Sequence, residues 1–138
     1  MLSMETWRNE FDERFPIYQQ IVNLFCRSLV KGEIEPGERI PSIRDLAHLL
    51  KVNTNTIQRS YQEMERKNLI YSQRGMGYFV MQEKEIITRV KHEMVTESTT
   101  RFIKELRALG FSDKQIRMEI EKQLEGGVEE HAYDDQRA

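Results

Sequence analysis

One cysteine, three prolines and one tryptophan in 138 residues put several chemistries out of reach. With Cys26 alone, neither an intramolecular disulfide nor a cysteine-based metal cluster can form. Nowhere does the chain approach the roughly 18–20 consecutive apolar residues that a membrane-crossing helix needs. The N-terminus, MLSMETWRNEFDERF, is acidic and lacks an apolar core segment, so no secretory leader is expected. Together these absences point to a cytoplasmic protein without a membrane partner. His48, His92 and His131 stand far apart with no ligand spacing around them. No phosphate-cradling glycine loop or nucleophile motif occurs either. No catalytic residue, metal site or cofactor is therefore expected. Cys26, set among apolar residues, is expected to act as a small buried hydrophobe.

Charge of one sign is also lacking: the formal net is only −2. That figure averages two unlike regions. Residues 39–82 hold seven basic side chains against three acidic ones, a local net of +4. Residues 83–138 hold ten basic and thirteen acidic ones, a net of −3. A locally basic module beside an acidic remainder suits docking to phosphates, where local potential counts for more than total charge. Solvated helix faces that merely differ would give the same numbers.

Four segments follow from the apolar pattern. Residues 1–15 are polar with scattered Trp7, Phe11 and Phe15, either a loose arm or a short amphipathic helix. Residues 16–82 begin with a helix after Pro16, whose missing N–H is harmless there. Ile17, Ile21, Leu24, Phe25, Ser28 and Leu29 form its inner face, and Gly32 with Pro36-Gly37 ends it. Ser42 is placed to cap a second helix with core positions Ile43, Leu46, Ala47 and Leu50. Asn53 is placed to cap a third, with Ile57, Tyr61 and Met64 inward. Leu69–Gln73 and Tyr78–Met81 alternate like strands around the tip Arg74-Gly75-Met76-Gly77. Residues 83–125 are helical again, with the polar run Thr96–Thr100 a candidate interruption. Gly110 is placed to end one helix, and Ser112-Asp113-Lys114-Gln115 is a capping box for the next. Residues 126–138 carry Gly126-Gly127 and acidic groups, the signature of a frayed tail.

Two short helices joined by a tight turn, then a basic hairpin, make a winged helix-turn-helix. The fold class is thus mainly α with a small β-hairpin wing. Its third helix opens with Asn53, Thr54, Asn55 and Thr56, followed by Gln58 and Arg59. Asn and Gln can pair bidentately with adenine, Arg with guanine, and a Thr methyl can meet that of thymine. One cap needs one such residue, and a run of four exceeds that requirement. Arg44 can reach a phosphate, with a salt bridge to Asp45 or a glutamate as its rival. Arg74 can enter a minor groove, and Gly75 and Gly77 let backbone N–H groups approach phosphate. An ordinary tight hairpin would use the same glycines. Double-stranded operator DNA is the expected partner, with a protein–protein interaction module of the same fold as the alternative.

Three stretches, Ile40-Pro41-Ser42-Ile43-Arg44-Asp45-Leu46-Ala47, Val52-Asn53-Thr54-Asn55-Thr56-Ile57 and Arg74-Gly75-Met76-Gly77-Tyr78-Phe79-Val80, resemble the N-terminal winged helix of GntR-family bacterial transcriptional regulators. The resemblance spans about Pro16 to Met81. It implies operator contacts from Arg44, Asn53, Thr54, Asn55, Thr56, Gln58 and Gly75. Many members place arginine where this chain has Thr54 and Gln58, so no operator sequence carries over. The 56 residues left after Gln82 are too few for a large effector domain and resemble the short dimerisation tail of the YtrA-type subfamily. Such a two-helix tail cannot bury its apolar stripes alone, which favours pairing with a second copy. The candidate pairing residues are Ile86, Val90, Phe102, Ile103, Leu106, Leu109, Phe111, Ile116, Ile120 and Leu124. A homodimer implies an inverted-repeat operator. The resemblance further implies a repressor, with a transporter operon as the default target, and any small-molecule effector would have to use a shallow site or the dimer cleft.

Overall fold

Caps and glycines set the element boundaries. The computed structural model describes Met4, Trp7 and residues 10–127. In chain order the elements are α1 (Ile17–Lys31), β1 (Arg39–Ile40), α2 (Ile43–Leu50), α3 (Thr54–Arg66), β2 (Ile70–Gln73), β3 (Gly77–Val80), α4 (Ile86–Ala108) and α5 (Asp113–Gly126). They divide into two units, Met1–Glu93 and Met94–Ala138.

In the first unit, α1 follows Pro16 and closes at Gly32, whose φ of 81° lets its N–H reach back to the Leu29 carbonyl at 3.2 Å. Its inner face is Ile21, Val22, Phe25, Ser28 and Leu29, while Cys26 is half-buried rather than buried. α3 packs against both α1 and α2, burying Ile57, Ser60, Tyr61 and Met64. The small Ser60 lets α1 come close: its hydroxyl lies 3.0 Å from the Thr56 carbonyl and 3.2 Å from that of Tyr18. Tyr61 reaches further. Its hydroxyl donates to the Pro41 carbonyl at 2.6 Å, and its ring meets Tyr78 edge-on with centroids 4.9 Å apart. Burial pushes its phenol well above the ordinary value, so the donor proton is retained.

The expected hairpin is present but gains a third strand. The order is β1-β3-β2, all antiparallel, with Ile70 opposite Val80, Gln73 opposite Gly77 and Arg39 opposite Phe79. β1 has only two residues, too few for an alternation to show. It is held because Gly37, at φ 82°, donates to the Val80 carbonyl at 2.9 Å and the Val80 N–H donates to Glu38 at 2.8 Å.

Three expectations need correction. At its described positions the segment before α1 is not a loose arm: Met4 and Trp7 are buried, and the Gln20 amide bonds to Asp12 and Phe15. The run Thr96–Thr100 does not interrupt α4, since it lowers helix propensity without any Gly or Pro to break the bonding. Ile86 and Val90 are 0% and 1% exposed inside the first unit, so they do not belong to an exposed pairing stripe. The first unit therefore extends through Glu93, past the boundary at residue 82 that the end of the wing suggests.

The second unit is a helical hairpin. Gly110, at φ 90°, turns the chain, with Phe111 N–H donating to the Leu106 carbonyl at 3.1 Å. The capping box forms as expected: Gln115 N–H to Ser112 Oγ at 3.2 Å and Ser112 N–H to Gln115 Oε1 at 2.8 Å. Ile116 is buried, whereas Leu109 and Leu124 are 74% and 73% exposed. The tail expected over 126–138 lies, from Val128 onward, outside the described residues.

Replacing Tyr61 by Phe removes the donor to the half-buried Pro41 carbonyl, which should cost about 1 kcal/mol. Thermal unfolding followed by circular dichroism should show a midpoint several degrees lower. An unchanged midpoint would mean that water replaces the hydroxyl and the tie contributes little.

Candidate nucleic-acid interface

The candidate surface begins with the two caps. Ser42 Oγ accepts from the Asp45 N–H at 3.1 Å, and Asn53 Oδ1 from the Asn55 N–H at 2.8 Å. Between them the chain turns through Lys51, a non-glycine residue at φ 57°, and Val52 N–H closes back onto the Ala47 carbonyl at 3.0 Å. That left-handed step costs about 1–2 kcal/mol, which the Leu46, Leu50 and Ile57 core sustains.

The cap divides the labour in the Asn/Thr run. Asn53 Oδ1 already accepts from the backbone, so a bidentate adenine contact would have to share that oxygen with the cap. Thr54, Asn55, Gln58 and Arg59 are exposed and Thr56 is half-buried. With Ile57, Tyr61 and Met64 fixed inward, Asn55, Gln58, Arg59 and Gln62 form the opposite stripe at helical spacing. Arg59 is less available than its exposure implies. Its guanidinium lies over the Tyr18 ring of α1, 3.9 Å from the centroid, a cation–π contact that stiffens it.

Arg44 occupies the first turn of α2 and is exposed. Neither Asp45 nor any other described residue forms an ion pair with it, so the rival salt bridge is not made. Arg66, by contrast, is engaged by Glu63, whose carboxyl that pairing holds below its ordinary value. Within residues 39–82, Arg39, Arg44, Lys51, Arg59, Lys67 and Arg74 form no ion pair with a described acidic residue.

The wing turns at Gly75 and Gly77, whose φ values of 76° and 106° are strained for residues with a side chain. Met76 N–H donates to the Gln73 carbonyl at 2.9 Å, leaving Arg74 and Met76 exposed at the tip. A Cβ on Gly77 would come within 3.4 Å of Arg39 Nε. Arg39 is thus a cation at the wing's base that sequence reasoning did not single out. Its placement comes from the two-residue strand β1, and only its charge ahead of Ile40-Pro41 hinted at it. Tyr78, next to Gly77, is the ring that meets Tyr61, so wing and α3 are held to one another. No group of His, Cys, Asp and Glu that could hold a metal occurs among the described residues. No helix among them is long and apolar enough to cross a membrane.

A family model described as bacterial regulatory proteins, gntR family, matches residues 17–80. The chain is 38% identical over 119 residues to YhcF of Bacillus subtilis (strain 168), described as an uncharacterized HTH-type transcriptional regulator, with 86% of this chain and 98% of that protein covered. It is 30% identical to the HTH-type transcriptional repressor YtrA of the same organism, covering 81% and 89%. Among solved structures, it is similar to a GntR family transcriptional regulator from Listeria monocytogenes at a TM-score of 0.71 and 37% identity, over 81% of this chain and 98% of that one. It is also similar to YtrA from Sulfolobus acidocaldarius, a GntR-family transcription factor, at 0.53 and 30%, over 67% and 90%.

Asn55 and Arg44 should separate on mutation. Asn55→Ala should reduce discrimination between sequences, by about 1–3 kcal/mol at the base position it contacts, and leave random-duplex affinity nearly unchanged. Arg44→Ala should weaken binding to all DNA and flatten the slope of log affinity against log salt by about one. Equal effects of both changes on preferred and random duplexes, measured by fluorescence anisotropy across a salt series, would refute the division.

Proposed function

This chain belongs to the gntR family of bacterial regulatory proteins, in its YtrA-type branch, and from that premise we propose how it acts. It is a DNA-binding transcriptional regulator of the winged helix-turn-helix type. The proposal is that a cytoplasmic homodimer represses transcription by occupying an inverted-repeat operator. The observation that carries it is the exposed Asn/Thr start of α3 beside Arg44, a cation with no described acidic partner. Thr54, Asn55, Thr56 and Gln58 read base edges, while Asn53 holds the helix start in place. Arg59 approaches the DNA from its seat on Tyr18. Arg44 and the wing residues Arg74, Gly75 and Gly77 meet the sugar-phosphate backbone or the adjoining minor groove.

Dimerisation draws support from the second unit. Phe102, Leu106, Leu109, Phe111, Ile120 and Leu124 line an open groove of about 580 Å³ between α4 and α5. A single hairpin leaves this apolar surface in water, and a second copy would cover it. Ile103, half-buried on α4, extends the same stripe, and Ile116 underlies it. Two reading helices one turn of DNA apart then call for an operator of matching two-fold symmetry. Repression follows the likeness to Bacillus subtilis YtrA, and a transporter operon is proposed as its target by the subfamily resemblance alone. A small-molecule effector, if one acts, would have to use a shallow site in the tail or the dimer cleft.

Sequencing of genomic fragments captured by the purified protein near physiological salt tests this reading. Enrichment of a few sites sharing a short inverted repeat is the expected result. Uniform weak recovery that vanishes with added salt would leave only non-specific phosphate attraction and favour a protein–protein interaction module. In the same assay, Leu109→Glu with Leu124→Glu should give a monomer by light scattering and lose the enrichment. A dimer that survives both changes would place the pairing surface elsewhere.

A further inference from the structure

The first two turns of α4 belong to the first unit, and one residue there does more than fill the core. Ile86 and Val90 face inward. Between them, Arg89 turns its guanidinium onto the backbone that leaves α3. Nη2 donates to the Asn68 carbonyl at 3.0 Å and Nη1 to the Lys67 carbonyl at 3.4 Å. The same head pairs with Glu83 Oε2 at 3.2 Å and Glu93 Oε1 at 3.5 Å. Lys67 is the C-cap of α3, and Asn68 stands at φ 57°, a left-handed step that asparagine tolerates. Carbonyls at a helix end lack helical partners and carry partial negative charge, so a cation there is favoured twice. The planar fork of arginine can serve two carbonyls and two carboxylates together, which a lysine ammonium cannot match. Immediately afterwards Leu69, 1% exposed, donates to the Met64 carbonyl at 2.8 Å and accepts from Met81 N–H at 2.9 Å. Residues 67–69 are where the reading helix hands the chain to the wing.

We propose that Arg89 is a positioning residue for DNA reading: by pinning the Lys67–Asn68 turn to α4, it fixes the tilt of α3 relative to the wing. The lever is long. The 13 residues of α3 span about 20 Å, so a swing of about 10° at the clamped end moves the reading end by about 3.5 Å. Such a shift breaks bidentate base contacts, whose geometry is narrow, and leaves phosphate attraction in place. This inference rests on α3 reading bases as proposed above.

The test compares wild type with Arg89→Ala, Arg89→Lys, Glu83→Gln and Glu93→Gln. The readout is the ratio of affinity for a site enriched from genomic DNA to affinity for a random duplex of equal length. Thermal melting and amide exchange of the free proteins are measured alongside. Arg89→Ala should lower the ratio by about tenfold or more, with random-duplex affinity within about twofold of wild type. Arg89→Lys should recover part of the loss, and the two glutamine variants should stay within about threefold of wild type. A retained ratio in Arg89→Ala, or specific and random binding falling in parallel with the melting point, would overturn the proposal. If Arg89→Ala does not fold, Arg89→Lys decides: its ratio must still fall severalfold. If the wild type itself shows no sequence preference, the base-reading role of α3 fails. The clamp is then judged by Leu69 amide exchange, which should quicken in both Arg89 variants and not in Glu93→Gln; unchanged rates would overturn it.

Discussion

The orientation of α3 is the constraint on which the rest depends. Its inner stripe, Ile57, Ser60, Tyr61 and Met64, meets neighbours on several sides, and each contact removes a freedom. Ser60 lets α1 come close because its side chain is small, and its single hydroxyl proton is shared between the Thr56 and Tyr18 carbonyls. Tyr61 ties the helix to Pro41, at the junction of β1 and α2, and to Tyr78 beside the wing. A buried tyrosine without those partners would incur a desolvation penalty of about 1–3 kcal/mol, so the two contacts specify one arrangement rather than merely adding area. Once the inner stripe is seated, the outer stripe has no choice of direction. Asn55, Gln58 and Gln62 face away from the core because the helix period leaves them nowhere else.

Electrostatics then favours a polyanion at this surface. Acidic groups are sparse in residues 39–82, and one of the few, Glu63, is spent on Arg66. Of the cations left over, Arg44 lies in the first turn of α2, where backbone N–H groups point outward, Arg39 and Arg74 lie at the wing, and Lys51 and Lys67 cap the ends of α2 and α3. Arginine in such settings gains by exchanging water for phosphate oxygen, and the released counterions make the attraction salt-dependent. The whole-chain net charge of −2 averages this local excess with the acidic remainder.

The same helix, α4, has different surroundings along its length. Its first turns complete the core of the first unit through Ile86 and Val90 and bring Arg89 to the end of α3. From Met94 onward it belongs to the second unit, a hairpin with α5. There the turn is heavily specified, by Gly110, the capping box and the Arg107–Asp113 pair at 3.0 Å. The exposed ion pair contributes at most about 1 kcal/mol. Leu109, Ile120 and Leu124 remain in water. A hairpin with well-made ends and an uncovered face is consistent with a surface that is finished by another molecule.

Local signals were legible in the chain itself. Ser42, Asn53, Ser112 and Gly110 mark their helix ends because capping is a matter of side chain and backbone within four residues. The wing's glycines and the core stripes of α1, α2 and α3 are equally local, and they sufficed for the winged helix-turn-helix and its exposed polar start. Long-range placement could not be read this way. Whether Ile86 and Val90 face a partner or their own core depends on where α4 lies after the wing, which their spacing along a helix does not encode. Arg39 reaches the wing through a two-residue strand that has no period, and Arg59 finds Tyr18 from 41 positions away in the chain. Arg89 meets Asn68 across 21 residues. Periodicity determines which face of a helix is apolar; only packing decides what that face, and the charges beside it, will meet.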